Sequence, residues 1–262
     1  MSQKKSQKHR APRPQEASEN ERIAGRNPVM EALRSGAAVD TIYVSQESGG
    51  LQEIISLARD RGIPVKMVTD AKLSQLTGGA VHQGVAAEGA CGQYVSLEEL
   101  LQNAADRGEP PLLVLCDGIQ DPHNLGAIIR TAEAAGAHGV IIPKRRSASL
   151  TLTVGKTSAG AASWLPVARV PNLVAAMETL KEHGVWIYGT DAAGTSYTET
   201  DFTGGTAFVI GSEGFGMSRL VSETCDGMLS LPMRGKVNSL NASVAAGIFL
   251  YEAVRQRMAP GT

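Results

Sequence analysis

Apolar residues recur along this chain in two rhythms. Short apolar runs stand at residues 112–116 (Leu-Leu-Val-Leu-Cys), 140–142, 185–188, 208–210 and 228–231, unbroken except for Ser230 in the last. Such runs are too short for helices and suit strands covered on both faces. Between several of them, apolar positions return every three or four residues and predict helices over 125–137, 172–183 and 240–257. Strands and helices in alternation predict an α/β fold, a parallel sheet with helices packed on its faces. Ligands in such sheets sit beyond the carboxyl ends of the strands.

Upstream the predicted elements are short. Helices are predicted over 28–34 and 51–61, and strands over 41–45, 65–68 and 85–88, enough for a small α/β domain. A further helix, 96–107, runs into Gly108-Glu109-Pro110-Pro111, where two prolines forbid its continuation. The expected organisation is a flexible basic tail over 1–20, a small domain over 21–93, a linker helix and boundary over 94–111, and a second domain over 112–262.

Composition narrows the class. Hydrophobic residues make up 42% and charged residues 19% of the 262, ordinary for a globular chain. The longest apolar stretches, 139–143 and 242–250, fall far short of the roughly 20 residues that span a bilayer. The first residues carry positive charge with no apolar segment after it, so a secretory signal is not expected and a cytoplasmic location is. Cys91, Cys116 and Cys225 are far apart and form no CxxC, so neither a metal site nor a disulfide is expected. The net charge of −1 argues against binding nucleic acid through bulk charge alone. Basic residues are instead local: Lys4, Lys5, Lys8, Arg10 and Arg13 in the tail, and Lys144-Arg145-Arg146 after a predicted strand.

Three segments that follow predicted strands hold residues suited to chemistry. The first, Asp117-Gly118-Ile119-Gln120-Asp121-Pro122-His123-Asn124, enters the helix in which Leu125, Ile128, Ile129, Ala132 and Gly136 form the stripe facing the sheet. Arg130 lies about 140° from that stripe and points away from the sheet. Asn124 reads either as the N-cap of this helix or, with Arg130, as a clamp for a ribose phosphate. The second, Gly211-Ser212-Glu213-Gly214-Phe215-Gly216, lacks the Gly-Lys-Ser/Thr of a P-loop and the GxGxxG of dinucleotide sites. Its Glu213 could orient a substrate hydroxyl or amine. The third runs from Leu231 through Met233, Asn238, Ser239, Leu240 and Asn241 to Ser243 and opens the last helix. Helix capping needs only one of its four short polar side chains. That helix is apolar nearly all round and should be covered from two sides, with a second subunit one candidate for the second cover.

In this order, the three segments resemble the three motifs of the SpoU/TrmH branch of the SPOUT methyltransferases, over about residues 112–257. Ile23-Ala24-Gly25-Arg26-Asn27-Pro28-Val29 and Gly79-Ala80-Val81-His82-Gln83-Gly84-Val85 further resemble the substrate-binding domain, similar to ribosomal protein L30e, of bacterial 23S rRNA guanosine 2′-O-methyltransferases. The resemblance implies a SPOUT-type parallel sheet with a carboxyl-terminal trefoil knot, a rare exception to unknotted topology. It also implies a homodimer, S-adenosylmethionine as cofactor, RNA as partner and no metal. Carried over by motif, Gly189, Thr190, Ile210, Gly211, Leu231, Met233 and Leu240 are the expected cofactor contacts. Asn124, Arg130, Glu213, Ser239 and Asn241 are the expected catalytic group. Two positions depart from the family pattern: Ala242 stands where many relatives have valine, and Ser163 where close relatives often have glutamate.

Other readings stay open on the residues alone. A 2′-O-methyltransferase acting on tRNA or another rRNA site would carry the same motifs. A non-catalytic RNA-binding assembly factor could keep the fold, although Asn124, Arg130, Glu213 and Asn241 are intact. A nicotinamide-dependent dehydrogenase would need GxGxxG after its first strand, and Asp117-Gly118-Ile119-Gln120-Asp121-Pro122 is not one.

Overall fold

The computed structural model describes residues 22–46 and 49–258, so the basic tail expected over 1–20 lies outside the described residues. Two sheets organise the chain. The first has the order β1-β4-β2-β3, built from β1 (Arg22–Ala24), β2 (Val39–Ser45), β3 (Val65–Val68) and β4 (Val85–Gly89). Helices α1 (Arg26–Arg34) and α2 (Gln52–Asp60) lay Val29, Leu33, Ile54 and Ala58 on Ile42, Val44, Val85 and Ala87. Helix α3 (Asp70–Leu76) starts at Thr69, whose side chain accepts the Lys72 N–H.

The second sheet has seven strands in the order β11-β9-β10-β6-β7-β8-β5, and every pairing in it is parallel. Its strands are β5 (Tyr94–Val95), β6 (Leu112–Asp117), β7 (Gly139–Pro143), β8 (Val167–Val170), β9 (Trp186–Ser196), β10 (Thr206–Gly211) and β11 (Gly227–Ser230). The central β6 explains the unbroken apolar runs, because successive residues feed opposite cores. Leu112, Val114 and Cys116 join the core under α5 (Pro122–Ala134), α6 (Leu152–Thr157) and α9 (Ala242–Arg257). Leu113 and Leu115 join the core under α4 (Leu97–Arg107), α7 (Leu173–Glu182) and α8 (Arg219–Thr224). A strand buried on both faces has no polar side to alternate with. Among the described residues, no helix is long and apolar enough to cross a membrane.

The stretch between the two expected domains is packed rather than free. Residues 94–111, expected as a linker helix and boundary, contain that helix as α4, whose Leu97 and Leu100 enter the core of the large sheet, and add the edge strand β5, which pairs with β8. A capping box between Ser96 and Glu99 starts α4, and Gly108 in the left-handed region (φ 64°) stops it. The two sheets meet at a buried polar junction. Asp40, only 4% exposed, accepts from the Tyr94 hydroxyl at 3.1 Å, from Arg169 Nη1 at 3.4 Å and from Thr41 Oγ1 at 2.8 Å. The Arg169 guanidinium also lies 5.0 Å from the Tyr94 ring centroid. Burial, reinforced by the Asp40 charge, pushes the Tyr94 hydroxyl up to about 12.

Strand β9 runs well past the expected 185–188. Its pairing with β11 jumps from Met228↔Gly189 to Leu229↔Thr195, so residues 190–194 leave the ladder between those pairs. This excursion sits at the carboxyl end of the sheet and supplies part of the site.

Candidate functional site

Three connections converge where β6, β10 and β11 end. After β6, the Asp121 side chain accepts the His123 N–H at 3.0 Å and caps α5, with Pro122 in its first turn. This corrects the N-cap reading of Asn124, which lies three residues past the cap, in the first turn, and is free for other work. After β10, Ser212 and Gly216 exchange backbone hydrogen bonds at 3.0 and 2.8 Å and pinch residues 212–216 into a tight turn. A Cβ on Gly211 would overlap the Gly216 carbonyl carbon and the Met217 nitrogen, so only glycine lets the strand enter that turn. After β11, residues 231–241 return across the sheet to Asn241, the N-cap of α9.

The side chains at these three ends bind one another. Asn241 Nδ2 donates to Asn124 Oδ1 at 2.8 Å and to Glu213 Oε1 at 2.5 Å, and Asn124 Nδ2 donates to the same carboxylate oxygen at 3.2 Å. The Ala242 N–H adds a bond to that oxygen at 3.4 Å. Asn241 Oδ1 meanwhile accepts from Ser243 N at 3.0 Å, Ser243 Oγ at 2.6 Å and Val244 N at 3.4 Å. Its amide is therefore oriented from both ends, the oxygen as helix cap and the nitrogen as clamp on Glu213. Among the described residues, Glu213 Oε2 has no hydrogen-bond partner, and Glu213 is exposed at the pocket wall. The result is a carboxylate fixed through one oxygen and open at the other.

Beside this triangle lies a pocket of about 380 Å³. Thr190, Ile210, Gly211, Leu231, Met233 and Leu240, six of the seven expected cofactor contacts, line it together with Glu213 and Ser239. Gly189 does not. It packs one residue behind the wall, where a Cβ would come within 2.7 Å of Met217 Cε and 2.8 Å of Met228 Sδ. Asp191, Leu229, Asn238, Ala242, Ala245 and Phe249 also line the pocket and were not singled out as site residues from the sequence. Asp191 follows Gly189-Thr190 at the end of a predicted strand, a signal that could have found it. Phe249 carried none, since nothing local distinguishes a core phenylalanine from one at a pocket floor.

Arg130 is the member of the expected group that the fold sets apart. It is exposed on α5, six residues beyond Asn124, and among the described residues it has no hydrogen-bond or ion-pair partner. Six residues carry it about 9 Å along the helix and to another side of it. Ser163 is exposed in a short turn of 3₁₀ helix at Ala161–Ser163, away from the pocket lining. Burial pushes the Cys116 thiol up to about 12 and the Cys225 thiol up to about 11, so neither supplies a thiolate near neutral pH. Among the described residues, no group of three or more His, Cys, Asp or Glu could hold a metal ion.

Comparison with known proteins places the chain in a family. Residues 111–251 match the model of the SpoU rRNA Methylase family, and residues 22–95 match that for RNA 2′-O ribose methyltransferase substrate binding. The chain is 47% identical over 238 residues to YacO of Bacillus subtilis, which bears the name of a TrmH family tRNA/rRNA methyltransferase, covering 90% of this chain and 95% of that one. Among solved structures, the SpoU methyltransferase AviRb from Streptomyces viridochromogenes in complex with AdoMet superposes with a TM-score of 0.59 at 30% identity, covering 91% and 90% of the two chains. An AdoMet-bound rRNA methyltransferase from Sinorhizobium meliloti gives 0.58 at 26% identity, covering 91% and 88%.

Proposed function

This chain belongs to the SpoU rRNA methylase family and is an RNA methyltransferase, and from that premise we propose that it methylates the ribose 2′-hydroxyl of a guanosine in 23S rRNA. The observation that carries the reading is the Asn124–Glu213–Asn241 triangle at the mouth of the pocket, with one carboxylate oxygen left open.

The pocket suits S-adenosylmethionine. Ile210, Leu229, Leu231, Leu240 and Phe249 offer apolar walls for a purine, Thr190 and Asp191 offer polar groups for a ribose or amine, and Gly211, Gly214 and Gly216 let backbone approach closely. When bound, that group supplies a methyl already activated on a sulfonium. The protein's task is to position a weakly acidic hydroxyl and draw off its proton. Glu213 Oε2 accepts the hydroxyl hydrogen, while Asn124 and Asn241 hold the carboxylate in one orientation. Ser239 offers a hydroxyl at the pocket rim. A guanidinium stays protonated, so Arg130 acts through its charge on the developing oxyanion.

Because Arg130 stands apart from the triangle of its own chain, a second copy is the natural source of that charge. Helix α9 supports a homodimer: Val244 and Tyr251 on the helix and Met258 at its C-cap recur every seventh residue and are 51%, 51% and 77% exposed. One exposed apolar stripe along a helix covers itself well against another copy of the same stripe. The return of residues 231–241 across the strand ends, with α9 then packing on α5 where Gly247 meets Thr131, suits the trefoil knot. We place its work in the cytoplasm, where rRNA is accessible.

Purified protein incubated with labelled S-adenosylmethionine and ribosomal RNA from a strain lacking the corresponding enzyme tests this, followed by mapping of the methyl group. A label on a 23S guanosine ribose supports the reading. Label on tRNA moves the target, and no transfer to any RNA leaves an RNA-binding assembly factor instead.

A further inference from the structure

The turn that carries Glu213 builds a second recess on its other side. This recess, about 550 Å³, lies at the carboxyl ends of β6, β7 and β8, and Ser212 and Gly216 form part of both walls. Its cationic lining is Arg145 and Arg146, both exposed and, among the described residues, without hydrogen-bond or ion-pair partners. Arg146 occupies the left-handed region (φ 58°), an uncommon backbone state for a residue with a side chain, in the turn that leaves β7. Its aromatic wall is Phe215, 94% exposed between Gly214 (φ 84°) and Gly216 (φ 66°). A ring held outward on a turn pinned at both ends contributes nothing to the core, and a flat partner stacking on it would remove it from water.

The rest of the lining is polar. The Asp117 carboxylate uses Oδ2 to accept the Ser218 N–H at 2.6 Å, and Gln120 and Asn172 lie in the same lining. Asn172 Oδ1 caps α7 by accepting the Val174 N–H at 2.9 Å, which leaves its amide donors uncommitted. A free anion would meet Asp117 as well as the arginines. A nucleotide satisfies all three surfaces at once: phosphates for the guanidiniums, a ring face for Phe215, and amino donors on the base edge for Asp117 and Gln120.

We propose that this recess is an RNA subsite that takes a nucleotide flanking the methylated one, its base stacked on Phe215 and its phosphates against Arg145 and Arg146. The inference rests on the proposed reaction, since the ribose at Glu213 sets the register. Two residues of chain span at most about 7 Å, so the nucleotide on Phe215 is a near neighbour of the ribose at Glu213.

Methyl-transfer kinetics of the full chain, on an RNA the wild type modifies and over a salt series, provide the test. Phe215→Ala should raise the RNA KM about 5- to 150-fold, the range of one lost base–aromatic stack, with cofactor affinity unchanged. Phe215→Tyr should restore it, and Phe215→Leu, apolar but unable to stack, should not. Replacing Arg145 and Arg146 together by alanine should raise KM and flatten the dependence of log KM on log salt by about 1.4, or ~0.7 for each of two single-strand phosphate contacts. Wild-type KM and salt slope in these variants would overturn the subsite, as would loss of cofactor affinity in Phe215→Ala. Should the wild type modify no RNA, the proposed reaction itself fails. The subsite is then read by fluorescence anisotropy with a short mixed-sequence single-stranded RNA, where equal affinity of wild type and Phe215→Ala overturns it as well.

Discussion

Two carboxylates in this molecule each sit at the centre of a side-chain cluster that joins distant parts of the chain. At the junction of the two sheets, Asp40 is 4% exposed and both its oxygens are occupied, Oδ1 by Tyr94 and Arg169 and Oδ2 by Thr41. At the pocket mouth, Glu213 is exposed and its three bonds, from Asn124, Asn241 and the Ala242 N–H, all converge on Oε1. The first cluster spends its hydrogen-bonding capacity on the fold. The second uses half of it to hold the carboxylate still and keeps half for a ligand. Partial satisfaction in an exposed site costs little, because water can fill the vacant position, whereas in a buried site it would be expensive.

That contrast should separate activity from stability. The largest expected effect is on the open cluster: Glu213→Ala should cost about 10²–10⁴ in methyl transfer, in the range of a lost general acid–base group, with the urea midpoint nearly unchanged. Retained activity would return Glu213 to the bland role of a turn residue. The mirror experiment is Asp40→Ala, which should lower unfolding stability by about 3 kcal/mol because it leaves the Arg169 guanidinium, whose side chain is 15% exposed, without its carboxylate. Transfer rates of the fraction that stays folded should hold, and a selective loss of rate would mean that the junction also positions substrate.

Arg130→Ala should lower turnover about 10²–10³-fold with cofactor binding intact, and mixing it with a cofactor-site variant would reveal whether the guanidinium comes from a second copy. Recovery of activity in such mixed populations is the expected outcome. Asn241→Ala touches both sides of the comparison, since this side chain is at once helix cap and clamp. It should cost about 1 kcal/mol of stability together with a smaller loss of rate than Glu213→Ala.

The smallest effect concerns a second buried group. His138 is fully buried, its Nδ1 accepts the Leu112 N–H at 3.0 Å, and Nε2 faces Glu109 at 3.0 Å. Burial and the nearby Arg107 charge hold its pKa below the ordinary 6.5, with Glu109 opposing. The unfolded chain therefore binds the proton more readily, so the stability contributed by neutral His138 is full above about pH 6.5 and declines as pH falls below it. His138→Gln should flatten thermal stability across that acid range. An unchanged slope would show that other groups carry it.

Much of this architecture was legible in the chain. The apolar runs of β6, β7 and β10 had to be doubly covered strands, and Gly108 with Pro110 and Pro111 marked the end of α4. Legibility failed where partners decide. Strand β5 has two residues, too few for any period, and exists because β8 offers it an edge. The polar stretch of β9 beyond Tyr188 resembles a loop, yet it rejoins the ladder at Thr195 because β11 is there to pair with it. Asn124 was indistinguishable from a cap, since Asp121 and Asn124 are both good caps and only coordinates reveal which backbone amide each one meets.

Which apolar runs become the central strands and which amphipathic stretches become helices are settled by energies acting over a few residues, and these the sequence determined on its own. The meeting of Asn124, Glu213 and Asn241 is of another kind, because Asn124 is separated from Glu213 by 89 residues and from Asn241 by 117. Only the strand order brings the ends of β6 and β10 side by side and returns the chain from β11 across them. No local preference encodes that arrangement. It follows from covering both faces of one parallel sheet at once.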